Sequence, residues 1–73
     1  QYQYDARVKE QSNTYSKMEP ANAADILSQM TAGDLELVAG ILSGMSPSKS
    51  SLILAAMEPE TAAQITKKMT YNK

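Results

Sequence analysis

The residues able to do chemistry are few. The chain holds eight Ser and five Thr but no His and no Cys. A hydroxyl with no adjacent base is a weak nucleophile, and the side chain that titrates near neutral pH is missing. Two carboxylate pairs stand out, Asp34 with Glu36 and Glu58 with Glu60. Positions i and i+2 do not share a helix face, so neither pair is a ready acid–base dyad. Zinc would have to be held by carboxylates alone, which is uncommon. Magnesium needs only one or two carboxylates, so weak Mg²⁺ binding near an acidic helix start is the one metal reading left open. Gly33, Gly40 and Gly44 have neither P-loop nor dinucleotide-binding spacing. The expectation is a non-enzymatic chain with no catalytic, cofactor-binding or dedicated metal residue.

Size and composition narrow the classes further. A chain of 73 residues makes one domain at most, and one this short hides only about 60% of its unfolded surface. Lacking Cys, it has no disulfide framework. Its hydrophobic fraction of 42% includes ten Ala and five Met, with no Trp or Phe. A net charge of −1 points to neither nucleic acid nor an anionic membrane as partner. No stretch approaches the roughly 20 apolar residues that span a bilayer, and no signal peptide is visible. The chain begins at Gln1, not Met, so it is expected to be a piece of a longer protein whose anchor, if any, lies upstream.

What the elements must be follows from an internal repeat. Residues 18–30, 45–57 and 57–69 align without gaps on Met-x-Pro-x-x-(Ala/Ser)-(Ala/Ser)-x-Ile-x-x-x-Met. A fourth copy fits at a shift of fifteen, with Asp34-Leu35 at the helix start, Val38-Ala39 for the small pair, then Ile41-Leu42 and Met45. Each copy reads as one short helix. Proline is tolerated at the first helical position, whose N–H has no partner anyway, and it pushes the preceding residue out of helical geometry. Ser46 and Asp34 are good N-caps; Glu19 and Glu58 place negative charge at positive helix ends. The small pair, Ile-Leu and Met fall at i, i+3, i+4 and i+7, an amphipathic stripe.

This reading places helices at about 3–18, 20–30, 34–43, 47–57 and 59–69, with no strand. Connections of one to three residues make successive helices turn sharply. The expected fold is all-α, a compact superhelix of about five short helices in miniature α-solenoid form. Helices this short do not persist alone in water, so the units must hold one another. In the first helix Tyr4, Val8, Gln11, Tyr15 and Met18 follow 4-3-4-3 spacing, as in a heptad seam. Val8, Tyr15 and Met18 either cap the solenoid core or end a longer upstream coiled coil. In the second case Tyr4, Val8 and Tyr15 are a dimer seam. Gln1 to Asp5 and the tail from Thr70 to Lys73 are expected to fray.

Charge is uneven. Residues 1–18 carry a net +1, 19–63 a net −5 and 64–73 a net +3. Acidic groups gather at helix starts and Lys67 and Lys68 near a helix end, as dipole complementarity dictates. The middle helices also carry apolar and small residues off their main stripe: Leu37, Gly40 and Gly44 on the third, Leu52 and Ala56 on the fourth. Either these helices are buried on two sides, or the five residues form a groove for a partner helix with Met adapting to its shape.

The phrases Met-Glu-Pro-x-x-Ala-Ala-Asp-Ile-Leu-x-x-Met at 18–30 and Ile53-Leu-Ala-Ala-Met-Glu-Pro-Glu-Thr-Ala-Ala-Gln-Ile-Thr resemble a known superfamily. The chain looks like the intracellular N-terminal domain of MgtE-type magnesium transporters. It is more similar to the stand-alone relatives encoded among bacterial flagellar genes, the MotE/YlxF-type motility proteins. The resemblance covers about residues 15–69, leaving 1–18 as the N-terminal helix and 70–73 as a tail. It implies a right-handed superhelix related to the armadillo-like domains of the flagellar switch protein FliG. In the motility branch the domain usually follows a membrane anchor or signal segment and a coiled coil, and one branch acts as a dedicated chaperone. Ser50-Ser51 in place of Ala-Ala, and Thr66 where Leu27 and Leu54 stand, depart from the pattern. The transporter branch binds magnesium through acidic residues that have no residue-by-residue match here, so no metal site is carried over.

The resemblance therefore implies a protein-interaction domain, chaperone-like or scaffold, of a bacterial motility protein anchored to the membrane by upstream sequence. Its partner would be another flagellar or motility protein, with a homodimer formed through the upstream coil. Neither nucleic acid nor direct membrane contact by this segment is expected. The alternative is a magnesium-responsive regulatory domain of an MgtE-type transporter.

Overall fold

The structure is a computed structural model describing the backbone from Tyr2 to Tyr71 and the side chains from Ala6 to Tyr71. Five helices follow one another: α1 (Tyr2–Ser16), α2 (Pro20–Thr31), α3 (Leu35–Ser43), α4 (Pro47–Ala55) and α5 (Pro59–Tyr71). No strand occurs among the described residues. Pro20, Pro47 and Pro59 open α2, α4 and α5 as the repeat requires. Glu19 (φ −61°, ψ 135°) and Ser46 (φ −65°, ψ 150°) are extended, the geometry that a following proline imposes. Every connection is three residues long.

The ends differ from expectation in instructive ways. α1 stops at Ser16, two residues early, because Lys17 and Met18 bond back three residues to Thr14 and Tyr15 in a tightened last turn. α1 is helical from Tyr2, and α5 continues through Thr70 and Tyr71, where fraying was expected; the expected fraying of Gln1, Asn72 and Lys73 lies outside the described residues. Asp34 caps α3 through Oδ1, which accepts the Leu37 N–H at 3.1 Å. Ser46 makes no side-chain cap. The Lys49 N–H that such a cap would take is accepted instead by the Ser46 carbonyl at 3.0 Å.

One apolar cluster holds the fold: Ala23, Ala24 and Leu27 from α2, Val38, Ile41 and Leu42 from α3, then Met45, Ile53, Met57 and Ile65. α3 packs against α1, α2 and α5, and α2 also packs on α4. The largest contacts of α3 thus join it to its next-but-one neighbours, not only to the helices beside it in sequence. α2 and α3 are covered on more than one side, and both bury their whole small pair, Ala23-Ala24 and Val38-Ala39. α4 and α5 are covered less. Ser50 is buried but Ser51 exposed, and Ala62 is half-buried but Ala63 exposed.

The repeat is not equivalent in burial. Ile53 and Ile65 are buried as expected, at 2% and 0% exposure, but their counterpart Ile26 is 42% exposed and Leu27 takes the interior position. Adjacent helical residues lie about 100° apart around the axis. α2 has therefore turned by one position to bring Ala23, Ala24 and Leu27 against its main packing partners, α3 and α4.

Candidate functional site

The best-defined constellation is the seam between α1 and α3. Gly40 and Gly44 are one turn apart on α3, so both present backbone to the same side. Val8 and Ser12, also one turn apart, meet them from α1. A Cβ built on Gly40 would lie 3.3 Å from Val8 Cγ1; one built on Gly44 would overlap the Ser12 hydroxyl and stand 3.0 Å from Ser12 Cβ. Gly44 ends α3 with φ −81°, and no glycine has positive φ. The usual left-handed reason for a cap glycine does not apply. Close approach of two helices explains it.

That approach brings one polar bond into the interior. Ser12, 2% exposed, donates from Oγ to the Ile41 carbonyl at 2.6 Å. Ile41 belongs to the last turn of α3, where carbonyls run out of intrahelical donors. It otherwise accepts only a three-residue bond from the Gly44 N–H, at 3.3 Å. α1 thus completes the hydrogen bonding of the α3 C-terminus. Among the described residues no buried side-chain polar atom lacks a partner.

This geometry redistributes the candidate residues. α1 covers the side of Gly40 and Gly44 on which a Cβ would stand, leaving Gly40 half-buried and Gly44 exposed at the edge of the seam. Leu37 is half-buried against the core cluster. Leu52, 53% exposed, and Ala56 are also at the surface, Leu52 on α4 and Ala56 at its C-cap. Leu52, Ala55 and Ala56 fall at i, i+3 and i+4, so the exposed face of α4 carries a short apolar stripe. The dimer seam turns inward: Val8 and Tyr15 are half-buried against the chain's own core. The side chain of Tyr4 lies outside the described residues. Sequence reasoning missed Ser12. The signal was present as two small residues four apart on α3 facing a Val-x-x-x-Ser pair on α1.

Two grooves flank these elements. The larger, about 640 Å³, runs between α1 (Lys9, Asn13, Ser16) and the α3–α4 turn (Gly44, Ser46) with Lys49 of α4. Its walls mix polar side chains with Ala6 and Met45 on an open surface, and the Ser16 hydroxyl already donates to the Asn13 carbonyl at 2.8 Å. The smaller, about 340 Å³, lies where Leu35 meets Gln64, Lys67, Lys68 and Tyr71. Among the described residues no three acidic, His or Cys side chains gather to hold a metal ion. Among the described residues no helix is long and apolar enough to cross a membrane. Compared with known proteins, the chain matches no protein-family model, no curated protein and no solved structure.

Proposed function

We propose that the chain is a non-enzymatic protein-interaction domain, chaperone-like or scaffold, of a bacterial flagellar motility protein of the MotE/YlxF type. In this reading its five helices wind as a right-handed armadillo-like superhelix, and sequence outside the chain holds it at a membrane. The observation that carries the reading is the exposed apolar stripe of Leu52 and Ala55 on a helix opened by the repeat's proline, continued by Ala56 at its C-cap. An apolar stripe on a short rigid helix suits an amphipathic partner helix laid along it. Support also comes from the alternate-helix contacts α1–α3, α3–α5 and α2–α4, which a winding chain of short helices produces.

The test is co-purification of motility components with the intact protein, in wild-type and Leu52→Lys forms. Recovery of a motility component by the wild type and its loss in Leu52→Lys, with helicity unchanged, is the expected result. Equal recovery by both forms removes the α4 stripe from the reading; recovery by neither removes the reading itself. Millimolar Mg²⁺ shifting the amide signals of Asp34, Glu36, Glu58 and Glu60 together would favour the magnesium-responsive alternative instead.

A further inference from the structure

We propose that the groove between α3 and the end of α5, walled by Leu35, Gln64, Lys67, Lys68 and Tyr71, docks a short acidic peptide segment that carries an apolar side chain between its carboxylates. The site lies apart from the α4 stripe and does not depend on the functional reading above.

The groove follows from how α5 seats. Ala62, Ile65 and Met69 pack into the apolar cluster. Gln64, Lys67, Lys68 and Tyr71 then fall at i, i+3, i+4 and i+7 on a separate stripe of the helix. Leu35, the half-buried first residue of α3, lines the other side. The α3–α5 contact is the most extensive in the fold, so both walls are set before anything binds.

The groove's charge is unbalanced. Among the described residues no carboxylate lines it, and neither Lys67 nor Lys68 forms an ion pair. Asp34 precedes Leu35, but its Oδ1 accepts the Leu37 N–H at 3.1 Å as the α3 cap. Residues 64–73 carry a net +3 in a chain of net −1. Two ammoniums on one wall with no counter-charge hold a positive field over the groove.

Dipole complementarity accounts for lysines near the end of α5. It does not account for what stands beside them. Tyr71 leaves its ring 78% exposed, and Leu35 adds aliphatic surface to the same groove.

That mixture selects the occupant. Carboxylates meet the lysines, and the Gln64 amide and Tyr71 hydroxyl can donate to further oxygens. An apolar side chain covers Leu35 and the ring. A bare inorganic anion would leave that apolar surface wet. An anionic membrane is held by clusters of about four to eight basic residues, and this groove has two. A nucleic-acid backbone needs a longer basic stripe, and a chain of net charge −1 does not attract it at range. An acidic peptide is the class that fits the whole lining.

The experiment titrates the full isotope-labelled chain with an end-blocked Asp-Glu-Leu-Asp-Glu peptide. The amide signals of Leu35, Gln64, Lys67, Lys68 and Tyr71 should move together while those of α1 and α4 stay in place. Affinity should fall at least about threefold in the double variant Lys67→Gln/Lys68→Gln, as the loss of two exposed ion pairs requires. It should fall again when salt rises from about 0.05 M to about 0.5 M. Circular dichroism should show unchanged helicity, since Lys67 is exposed and Lys68 only half-buried. Should the double variant lose its fold, Tyr71→Ala at an exposed site takes its place, with the same expected loss. No shift at the groove, equal binding by the variant, or equal binding of Asp-Glu-Ser-Asp-Glu overturns the proposal. So does tighter binding at these residues by a DNA oligonucleotide or by phosphatidylserine vesicles. No motility component enters the titration, so its failure leaves the motility reading untouched.

Discussion

Leu27 is fully buried, and Ile26, the residue beside it, is 42% exposed. The two are of equal size and nearly equal hydrophobicity. What separates them is α2's rotation against α3 and α4, and this gives a sharp test of the packing. Leu27→Ala should cost about 2–5 kcal/mol, the usual range for emptying a core site. A domain this small has only about 3–5 kcal/mol to lose, so Leu27→Ala should leave much of the chain unfolded at room temperature. Ile26→Ala should stay within about 0.5 kcal/mol of wild type, as exposed sites do. Urea denaturation followed by circular dichroism measures both. Similar losses at the two positions would mean that α2 is turned differently.

The two expected N-caps give a second contrast. Asp34 accepts the Leu37 N–H, whereas Ser46 accepts nothing through its side chain. Asp34→Ala should therefore cost about 1 kcal/mol, in the range measured for lost caps. Ser46→Ala should cost less than about half that, because the backbone carbonyl already serves the donor. Thermal melts of both variants under one condition suffice. A larger loss at Ser46 would show that the hydroxyl caps the helix in solution.

These contrasts mark what the sequence could and could not reveal. The prolines at 20, 47 and 59 were legible because the ring itself forbids continuation of the preceding helix. The burial of Ile41, Ile53 and Ile65 followed from the period of the repeat. Ile26 was misread because repeat alignment assumes equal surroundings, whereas α2 packs against all four other helices, most closely α3 and α4. Gly40 and Gly44 were placed on an open face for a related reason. Periodicity ranks residues by apolarity, and a glycine that lets another helix in carries no apolar signal. Ser12 escaped for the same cause, since a buried hydroxyl is invisible until its acceptor on α3 is known.

The outer face of α4 should separate binding from stability. Leu52 is exposed and Ile53 is not. Leu52→Lys should leave the melting temperature within about 2 °C, the small effect typical of surface changes. Ile53→Lys should unfold the domain, because an unpaired ammonium in an apolar cluster is not tolerated. Differential scanning calorimetry reads both directly. A melting temperature that fell strongly in Leu52→Lys would place Leu52 inside the core and remove it as a partner contact.

The close approach of α1 and α3 predicts non-additive behaviour at Gly44 and Ser12. Alanine in place of a helical glycine normally gains about 0.5–1 kcal/mol from reduced chain entropy. At Gly40 that gain should be roughly cancelled, because the new Cβ meets Val8 Cγ1 at 3.3 Å and the stiff valine must yield slightly. At Gly44 the new Cβ overlaps the Ser12 hydroxyl and crowds its Cβ, so Gly44→Ala should cost about 1–3 kcal/mol. Removing the obstructing side chain should undo that cost. Ser12→Gly weakens α1 by itself, through the propensity of glycine and the lost bond to Ile41. Combined with Gly44→Ala, however, it should be less harmful than the two changes summed, by at least about 1 kcal/mol of coupling. A double-mutant cycle in urea gives that number, and additivity within about 0.3 kcal/mol would show that the two residues do not touch in solution.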